Sequence, residues 1–442
     1  MRRRTFAIVV LSAVALLRLA MVMLPVLGRD EVTYLYWTHQ SNIDYAPLLQ
    51  LQILLVRMVS DAPWFLRLSQ LGIGVASLFC FAAWLKARDV QDRWLAVAAL
   101  AATPWLTFSG AILHPDGLFV FGLLVFALGL ERGRSLQVLL GAVICLGAKL
   151  SGVIPVGVAL VWLAHGRHLR SFITLAVIAV GFRLFLQPET LGAAREFARI
   201  DGGIRLRLLV LTVEMVLVGG ALVVVPRITA WRPVAVTGVL IVGGFVLMAV
   251  FGGQSKANWL LPGLILLWPR QVSPRLLVGI TLVAVAFTTA MVTGYLQPGA
   301  ARWAEETLRP HGILPDYRVL AGEREGRVAS GRTWEDYLNG FHGQLHWSRP
   351  DSTSGVGIVV SDDYALAARF ALQCPVPVPA IVVPGDPLFD REPGSPPGRQ
   401  LVVAVRVPLE QLVETGTIVW RGSVAHPVTG STIQLALVED IP

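Results

Sequence analysis

Asp30 and Glu31 stand side by side in Gly28-Arg29-Asp30-Glu31, directly after the first membrane-length apolar segment of the chain. Charged groups near hydrocarbon are expensive, so they tend to pair, line a cavity or do chemistry. Adjacent carboxylates suit two separate jobs: one accepts a proton from an attacking hydroxyl, the other positions a basic group, a metal or a backbone segment. The competing reading is a solvated turn after the helix, with Arg29 as partner. Asp116 is a second carboxylate out of place, in His114-Pro115-Asp116-Gly117 ahead of another apolar run. Aspartate in the first turn of a helix is ordinary capping chemistry, and Pro115 suits such a start. Capping and catalysis are compatible here, because a helix start at the bilayer surface can face a cavity. His114 alone is weak evidence for a metal ligand. Lys149 follows Gly147-Ala148, and Lys256 lies in GGQSKANW at 252–259. Snorkelling accounts for such lysines without any further role. Two cations near carboxylates also suit a lipid phosphate, for which lysine is a point charge and arginine a fork. Arg67 and Arg205 are additional candidates of that kind.

The elements that must position these residues are membrane helices. Mean hydropathy is +0.64 over 442 residues and only 15% of residues are charged, outside the usual soluble composition. A helix needs about 20 apolar residues to cross hydrocarbon. Approximate spans are 6–27, 64–84, 93–110, 112–130, 136–148, 151–164, 171–187, 207–225, 233–251, 257–268 and 275–294. The runs 136–148, 151–164 and 257–268 are too short to cross alone and read as broken or tilted helices buried among the others. Residues 1–27 carry Arg2-Arg3-Arg4 before an apolar stretch too long for a cleaved signal, and read as a retained first span.

The net charge of +8 does not indicate a nucleic-acid partner, because the basic residues collect in short hinges. These hold Lys86, Arg88 and Arg93; Arg132 and Arg134; Arg167 and Arg170; Arg227 and Arg232; Arg270 and Arg275. With a cytoplasmic amino terminus, eleven crossings put every such hinge on the cytoplasmic side, as the positive-inside rule requires. The segments 28–63, 111–114, 149–150, 188–206 and 252–256 then face outward with everything after about 295. In the first outer loop, 28–63, the stretch 48–59 reads as an interfacial helix. Tyr34, Tyr36 and Trp37 suit an aromatic belt at the interface. Cys80 and Cys145 lie in apolar runs and read as small hydrophobes, and Cys374 is alone in the tail. No His/Cys cluster has the spacing of a structural zinc site.

From Gln297 the sequence turns polar and turn-rich, with strands expected at 357–360, 379–383, 400–405 and 416–420 and a short helix at 362–370. The expected architecture is a polytopic α-helical membrane bundle of about 11 spans at 1–296, followed by a soluble mixed α/β domain at 297–442 on the outer face.

Five ordered stretches carry a resemblance. DEVTYLYW at 30–37, DYAPL at 44–48, LHPDGLFVF at 113–121, GAKLSGVIP at 147–155 and GQSKANWLLPG at 253–263 resemble successive landmarks of the polytopic glycosyltransferase C superfamily. The likeness is to the branch of protein O-mannosyltransferases and lipid A aminoarabinose transferases. It covers most of 6–295 and extends weakly through SDDYALAARF at 361–370. It implies a polyprenyl-phosphate sugar as donor and action on the outer face; the two faces of the topology suggest a cell inner membrane of a bacterium, with a eukaryotic endomembrane as the alternative. Residue by residue, it implies Asp30 as the acid that activates the acceptor, accompanied by Glu31, with Asp116 as the second acidic position. Lys149 and Lys256 resemble the basic positions near lipid phosphate, and Tyr34, Tyr45 and Asn258 join them as substrate-binding candidates. Many relatives carry a histidine and paired prolines where this chain has Tyr45-Ala46-Pro47, so a contact made by that histidine does not carry over. The implied reaction moves a glycosyl group to a protein, lipid or polysaccharide of the envelope, with inversion if displacement is direct. A divalent metal ion is a candidate cofactor, with no ligand set assigned. A transporter or flippase for a polyprenyl-linked lipid also accounts for membrane ionisable residues, as does a noncatalytic scaffold with the tail as binding module.

Overall fold

The computed structural model describes residues 3–23, 29–39, 46–185, 208, 211–212, 215–216, 219–225, 232–252, 257–269, 271–296, 356–361, 367–368, 371, 380–382, 399–404, 409–413, 417–425 and 432–439. The chain divides into two units. One comprises Met1–Met23, Asp44–Gln187 and Ala194–Thr293; the other comprises Leu24–Ile43, Pro188–Ala193 and Gly294–Pro442.

The first unit is built from helices: α1 (Arg3–Val22), then α3 (Pro47–Arg57) to α10, and on to α14 (Pro274–Leu296). Between them lie α4 (Pro63–Ala87), α5 (Arg93–Ala101), α6 (Pro104–Ser109), α7 (Pro115–Arg132), α8 (Ser135–Ala148), α9 (Val153–His165) and α10 (Leu169–Phe185). Three more follow, α11 (Ala221–Val224), α12 (Pro233–Leu247) and α13 (Ala257–Leu266). Proline starts many of them (Pro47, Pro63, Pro104, Pro115, Pro233), where its missing amide hydrogen costs the helix nothing. Among the described residues three helices are long and apolar enough to cross a bilayer: Arg3–Val22, Pro63–Ala87 and Pro233–Val250. Large apolar side chains such as Ile8, Leu16, Phe79, Val161, Val177 and Val283 point outward, as lipid-facing residues do. Inside, Phe81, Trp84, Phe119, Phe126 and Trp268 belong to one buried apolar cluster.

Helices α7 and α8 pack backbone against backbone through Gly122, Gly129 and Gly141. A Cβ at Gly129 would sit 2.7 Å from the Val138 amide nitrogen, and one at Gly141 would collide with the backbone of Phe126. Close approach of this kind replaces the hydrophobic drive that lipid does not supply. At one end of the bundle, Arg88 donates to the Trp268 carbonyl at 2.6 Å and lies 4.6 Å over the Trp84 ring. Glu131 forms an ion pair with the Arg88 Nε at 3.6 Å and accepts from Arg232 Nη1 at 3.4 Å. Two hinge arginines thus make specific contacts as well as contributing charge.

Three expectations need correcting. The run 93–110 is two helices, α5 and α6, because Pro104 cannot continue the helix and turns Thr103 extended (φ −63°, ψ 133°). The helix α1 ends at Val22 rather than at 27, ahead of Pro25. The motif DEVTYLYW is not an open loop but lies in a helix, α2 (Arg29–His39), in the second unit. The interfacial stretch 48–59 does form a helix, α3, with Leu51, Leu54 and Leu55 exposed.

The second unit also holds a mixed five-stranded sheet in the order β2-β1-β3-β5-β4. The strands are β1 (Val356–Ser361), β2 (Ala380–Val382), β3 (Arg399–Ala404), β4 (Thr417–Ala425) and β5 (Thr432–Glu439). β1 pairs in parallel with β2 and β3, while β5 runs antiparallel to both β3 and β4. Val402, Ala436 and Val438 are buried on one face, against Leu409 and Leu412. Leu401, Val403, Leu435 and Leu437 are buried on the other. Burial of both faces explains the near-continuous apolar reading of β3 and β5. The first four strands fall where the sequence places them, and β5 is additional.

Candidate functional site

The centre of the first unit is a buried carboxylate, and local sequence explains how it is held. His114 is extended (φ −152°, ψ 139°), Pro115 opens α7, and the His114 Nδ1 accepts the Asp116 amide at 3.2 Å. A nitrogen that accepts this bond cannot carry a proton there, so the 3.4 Å approach of Nδ1 to Asp116 Oδ2 is not an ion pair in this arrangement. Gln70 of α4 fixes the turn from behind. Its amide donates to the Ser109 carbonyl at 2.6 Å and to the His114 carbonyl at 3.1 Å. Gly117 is needed at this point, since a Cβ there would collide with the Gln70 amide.

Three side chains converge on Asp116, which is fully buried. Lys149 donates to Oδ1 at 2.7 Å. The Trp105 indole donates to Oδ2 at 3.0 Å, and Asn258 donates to the same oxygen at 2.9 Å. Each donor comes from an interruption in regular structure. Trp105 follows the Pro104 restart of α6. Lys149 is a single extended residue (φ −158°, ψ 147°) between α8 and a 3-10 turn, Leu150–Gly152, that leads into α9. Asn258 lies in the first turn of α13, after the π-helical turn Met248–Gly252 that ends α12. Pro262 has no amide hydrogen for the Asn258 carbonyl, so α13 does not satisfy that carbonyl itself. Breaks in helical backbone are tolerated among apolar helices where protein buries them, and here they aim side chains at one point.

The charges cancel: one carboxylate, one ammonium. A buried pair of this sort must be well hydrogen-bonded to repay its desolvation, and Asp116 has three donors from side chains. Lys149 is 7% exposed, with its Nζ 5.8 Å from the centre of the Trp259 ring. It spends one of its three N–H donors on Asp116, which leaves two for an anion brought to the site. Asp116, by contrast, has no exposed surface to offer a substrate.

The structure therefore brings together three of the residues singled out by sequence: Asp116, Lys149 and Asn258. It places Asp30, Glu31 and Tyr34 on α2 in the other unit. Asp30 is half-buried and Glu31 wholly buried, both in the first turn, where the helix dipole favours negative charge. Burial of Glu31 excludes a solvated turn for that residue. Tyr34, Tyr36 and Trp37 are buried too, with Tyr34 edge-on to Trp37 at 5.5 Å, so they do not form an exposed belt. Tyr45, Lys256 and Arg205 lie outside the described residues. Arg67 is fully buried on α4. Among the described residues no group of three or more His, Cys, Asp or Glu side chains is placed to hold a metal ion. Sequence reasoning missed Trp105 and Gln70. A lone glutamine inside the apolar run 64–84 was a usable signal; nothing in TPWLTFSG set Trp105 apart.

No model of a known protein family matches the chain, and no curated protein matches it either. Two solved structures share its fold. ArnT from Cupriavidus metallidurans in the apo state superposes with a TM-score of 0.56 at 13% identity, covering 99% of this chain and 98% of that one. ArnT from the same organism bound to undecaprenyl phosphate gives a TM-score of 0.53 at 14% identity, covering 97% of each chain. At this identity the likeness is one of fold, along the whole length of both chains, and it agrees with the mostly helical architecture and small sheet expected from sequence.

Proposed function

We propose that the protein is a membrane glycosyltransferase that moves a sugar from a polyprenyl-phosphate carrier to an acceptor of the cell envelope. The observation that carries this reading is the Lys149–Asp116–Asn258 cluster. It presents a nearly buried ammonium with two unspent donors, at breaks between apolar helices. The full-length fold likeness to ArnT, solved with undecaprenyl phosphate, supports a donor of that class. So does the ordered resemblance to the glycosyltransferase C superfamily.

In this reading the acceptor hydroxyl or amine attacks the anomeric carbon, and the bond from that carbon to the phosphate oxygen breaks. The electron pair leaves with the polyprenyl phosphate. Lys149, with Lys256, neutralises the departing anion, and Asp30 takes the acceptor proton. Asp116 serves as a positioning residue: it holds Lys149 and Asn258 in place and has no exposed surface of its own. A direct displacement inverts the anomeric centre, and a product of retained configuration would rule this scheme out. Each buried CH2 avoids about 0.8 kcal/mol of hydration cost, so the prenyl chain stays in lipid while the sugar reaches the site. The proposed layout puts residues 1–296 in the bundle of a cell inner membrane, with the site facing the periplasm and 297–442 on the same outer face.

The test is sugar transfer by the reconstituted protein from polyprenyl-phosphate sugars to crude envelope acceptors, beside Asp30→Asn. A general base supplies about 10²–10⁴-fold, and a loss of that size is expected in the variant with the fold intact. Donor lipid that crosses between leaflets without any transfer would instead establish a flippase.

A further inference from the structure

Two hydrogen-bonded glutamines lead away from the Asp116 turn, and the second of them has no part in the reaction described so far. Gln70 commits both amide hydrogens to the Ser109 and His114 carbonyls, which leaves its Oε1 as an acceptor. Gln52 of α3 donates to that Oε1 at 3.3 Å and to the Ser69 hydroxyl oxygen at 2.7 Å. The Ser69 hydroxyl hydrogen goes to the Leu66 carbonyl at 2.7 Å, so its oxygen is the acceptor from Gln52. The direction of every bond is thereby set. Turning the Gln52 amide over would put oxygen against oxygen at Gln70. As it stands, the Gln52 Oε1 is buried with no partner among the described residues. A buried acceptor left unpaired is costly, so the link to Gln70 and Ser69 dictates the orientation.

The rest of α3 shows why such a link matters. The helix has 11 residues, and isolated helices shorter than about 12–15 residues are marginal. Its outward face is apolar, with Leu51, Leu54 and Leu55 exposed, so the contacts that seat it come from Leu49, Ile53 and their neighbours on the inner face. Ala46, which precedes it, is left-handed (φ 53°, ψ 53°) although it is not glycine. Such a backbone persists where its surroundings over-determine it. At this end Leu48 packs on Gly147, where a Cβ would sit 2.6 Å from the Leu48 Cγ, two residues ahead of Lys149. One helix thus touches both halves of the buried pair. Leu48 abuts the backbone that leads to Lys149. Gln52 reaches Asp116 through Gln70 and the His114 carbonyl, which also accepts the Gly117 amide at 3.3 Å. The helices involved, α3, α4, α7 and α8, all belong to the first unit.

We infer that α3 braces the Asp116–Lys149 pair, and that Gln52 is the positioning residue through which it holds the turn ahead of Asp116. Loss of the Gln52 N–H groups frees the Gln70 amide, loosens the first turn of α7 and lets Asp116 drift from Lys149. The consequence for donor binding rests on the proposed transferase reaction; the brace itself does not.

The test uses the full chain in lipid nanodiscs with Gln52→Met, which keeps the length of the side chain without its N–H groups, and Gln52→Glu, which keeps its shape. Without any added ligand, hydrogen exchange at the Asp116 and Gly117 amides should speed up roughly 3–30-fold in both variants, with α10 unchanged. Polyprenyl phosphate, added as the probe, should bind both variants roughly 3–30-fold more weakly at unchanged stoichiometry. A merely structural defect lowers the stoichiometry and leaves the dissociation constant alone. Gln52→Met added to Gln70→Met should weaken binding no further than Gln70→Met does by itself. Unchanged exchange at the turn, a lower stoichiometry at unchanged affinity, or additive losses would each overturn the role of Gln52. Faster exchange in the variants of a protein that binds no polyprenyl phosphate would uphold the brace and sink the proposed function instead.

Discussion

Two buried charges lie close together in the helical unit, and the chain treats them in opposite ways. Asp116 is met by an ammonium, an indole N–H and a side-chain amide, each within 3.0 Å. Arg18, one helix away from that constellation, has a single backbone carbonyl at 2.7 Å and an Nε without a partner. The first is a closed arrangement in which removal of any member strands the others. The second has no counter-charge among the described side chains. The contrast separates two ways of holding charge inside a bundle: one meets it with an opposite charge and side-chain donors, the other rests it on a backbone carbonyl. It also separates their responses to mutation, because stranded charge is costly while removal of an unpaired charge is not.

The sharpest way to break the contrast is Lys149→Met. It leaves Asp116 buried without its cation and should cost about 3–5 kcal/mol, read as a fall in the chemical or thermal unfolding midpoint. Lys149→Met combined with Asp116→Leu removes the whole pair and should recover most of that loss, while sugar transfer stays absent. A double variant no more stable than the single one would show that the pair is not what Lys149 stabilises. Trp105→Phe keeps the ring and deletes one donor to a charged group. An expected loss of about 1.5–3 kcal/mol follows, and an unchanged midpoint would place that hydrogen bond outside the energetics. Gly117→Ala pushes a methyl into the Gln70 amide, with an expected cost of about 1–3 kcal/mol for overpacking; it tests whether Gln70 holds the turn before Asp116. The smallest effect belongs to Arg18→Met. Loss of the Leu106 hydrogen bond is offset by removal of a buried charge, so stability should stay within about 1 kcal/mol of wild type. A large loss there would make Arg18 a second closed site.

The sequence made the carboxylates visible and left their partners dark, for a physical reason. Asp30, Glu31 and Asp116 stand out because charge beside apolar runs is rare, and Lys149 for the same cause. That Lys149 would reach Asp116, 33 residues away, required the helix break at Lys149, which a hydropathy pattern does not encode. Asn258 is 142 residues from Asp116, and its role rested on resemblance alone. Trp105 was hidden because an indole in an apolar run reads as packing until its N–H finds an acceptor. Arg18 was fully visible as a charge within a span, yet the positive-inside pattern drew attention to the hinges instead. In the sheet of the second unit, β1 to β4 alternate with turn residues and were legible. Thr432–Glu439 carries the same signature after His426-Pro427 and was overlooked. Helix α2 was taken for a loop because aromatic and acidic residues dominate it and its apolar stripe is short.

The most direct test of the central claim is the affinity of polyprenyl phosphate for the nanodisc-embedded protein, wild type against the pair-deleted Lys149→Met/Asp116→Leu variant. If Lys149 meets the donor phosphate, a charge-assisted hydrogen bond of about 1.5–3 kcal/mol is lost and affinity falls roughly 10–100-fold. An affinity within twofold of wild type would contradict the account and move the phosphate away from this cluster.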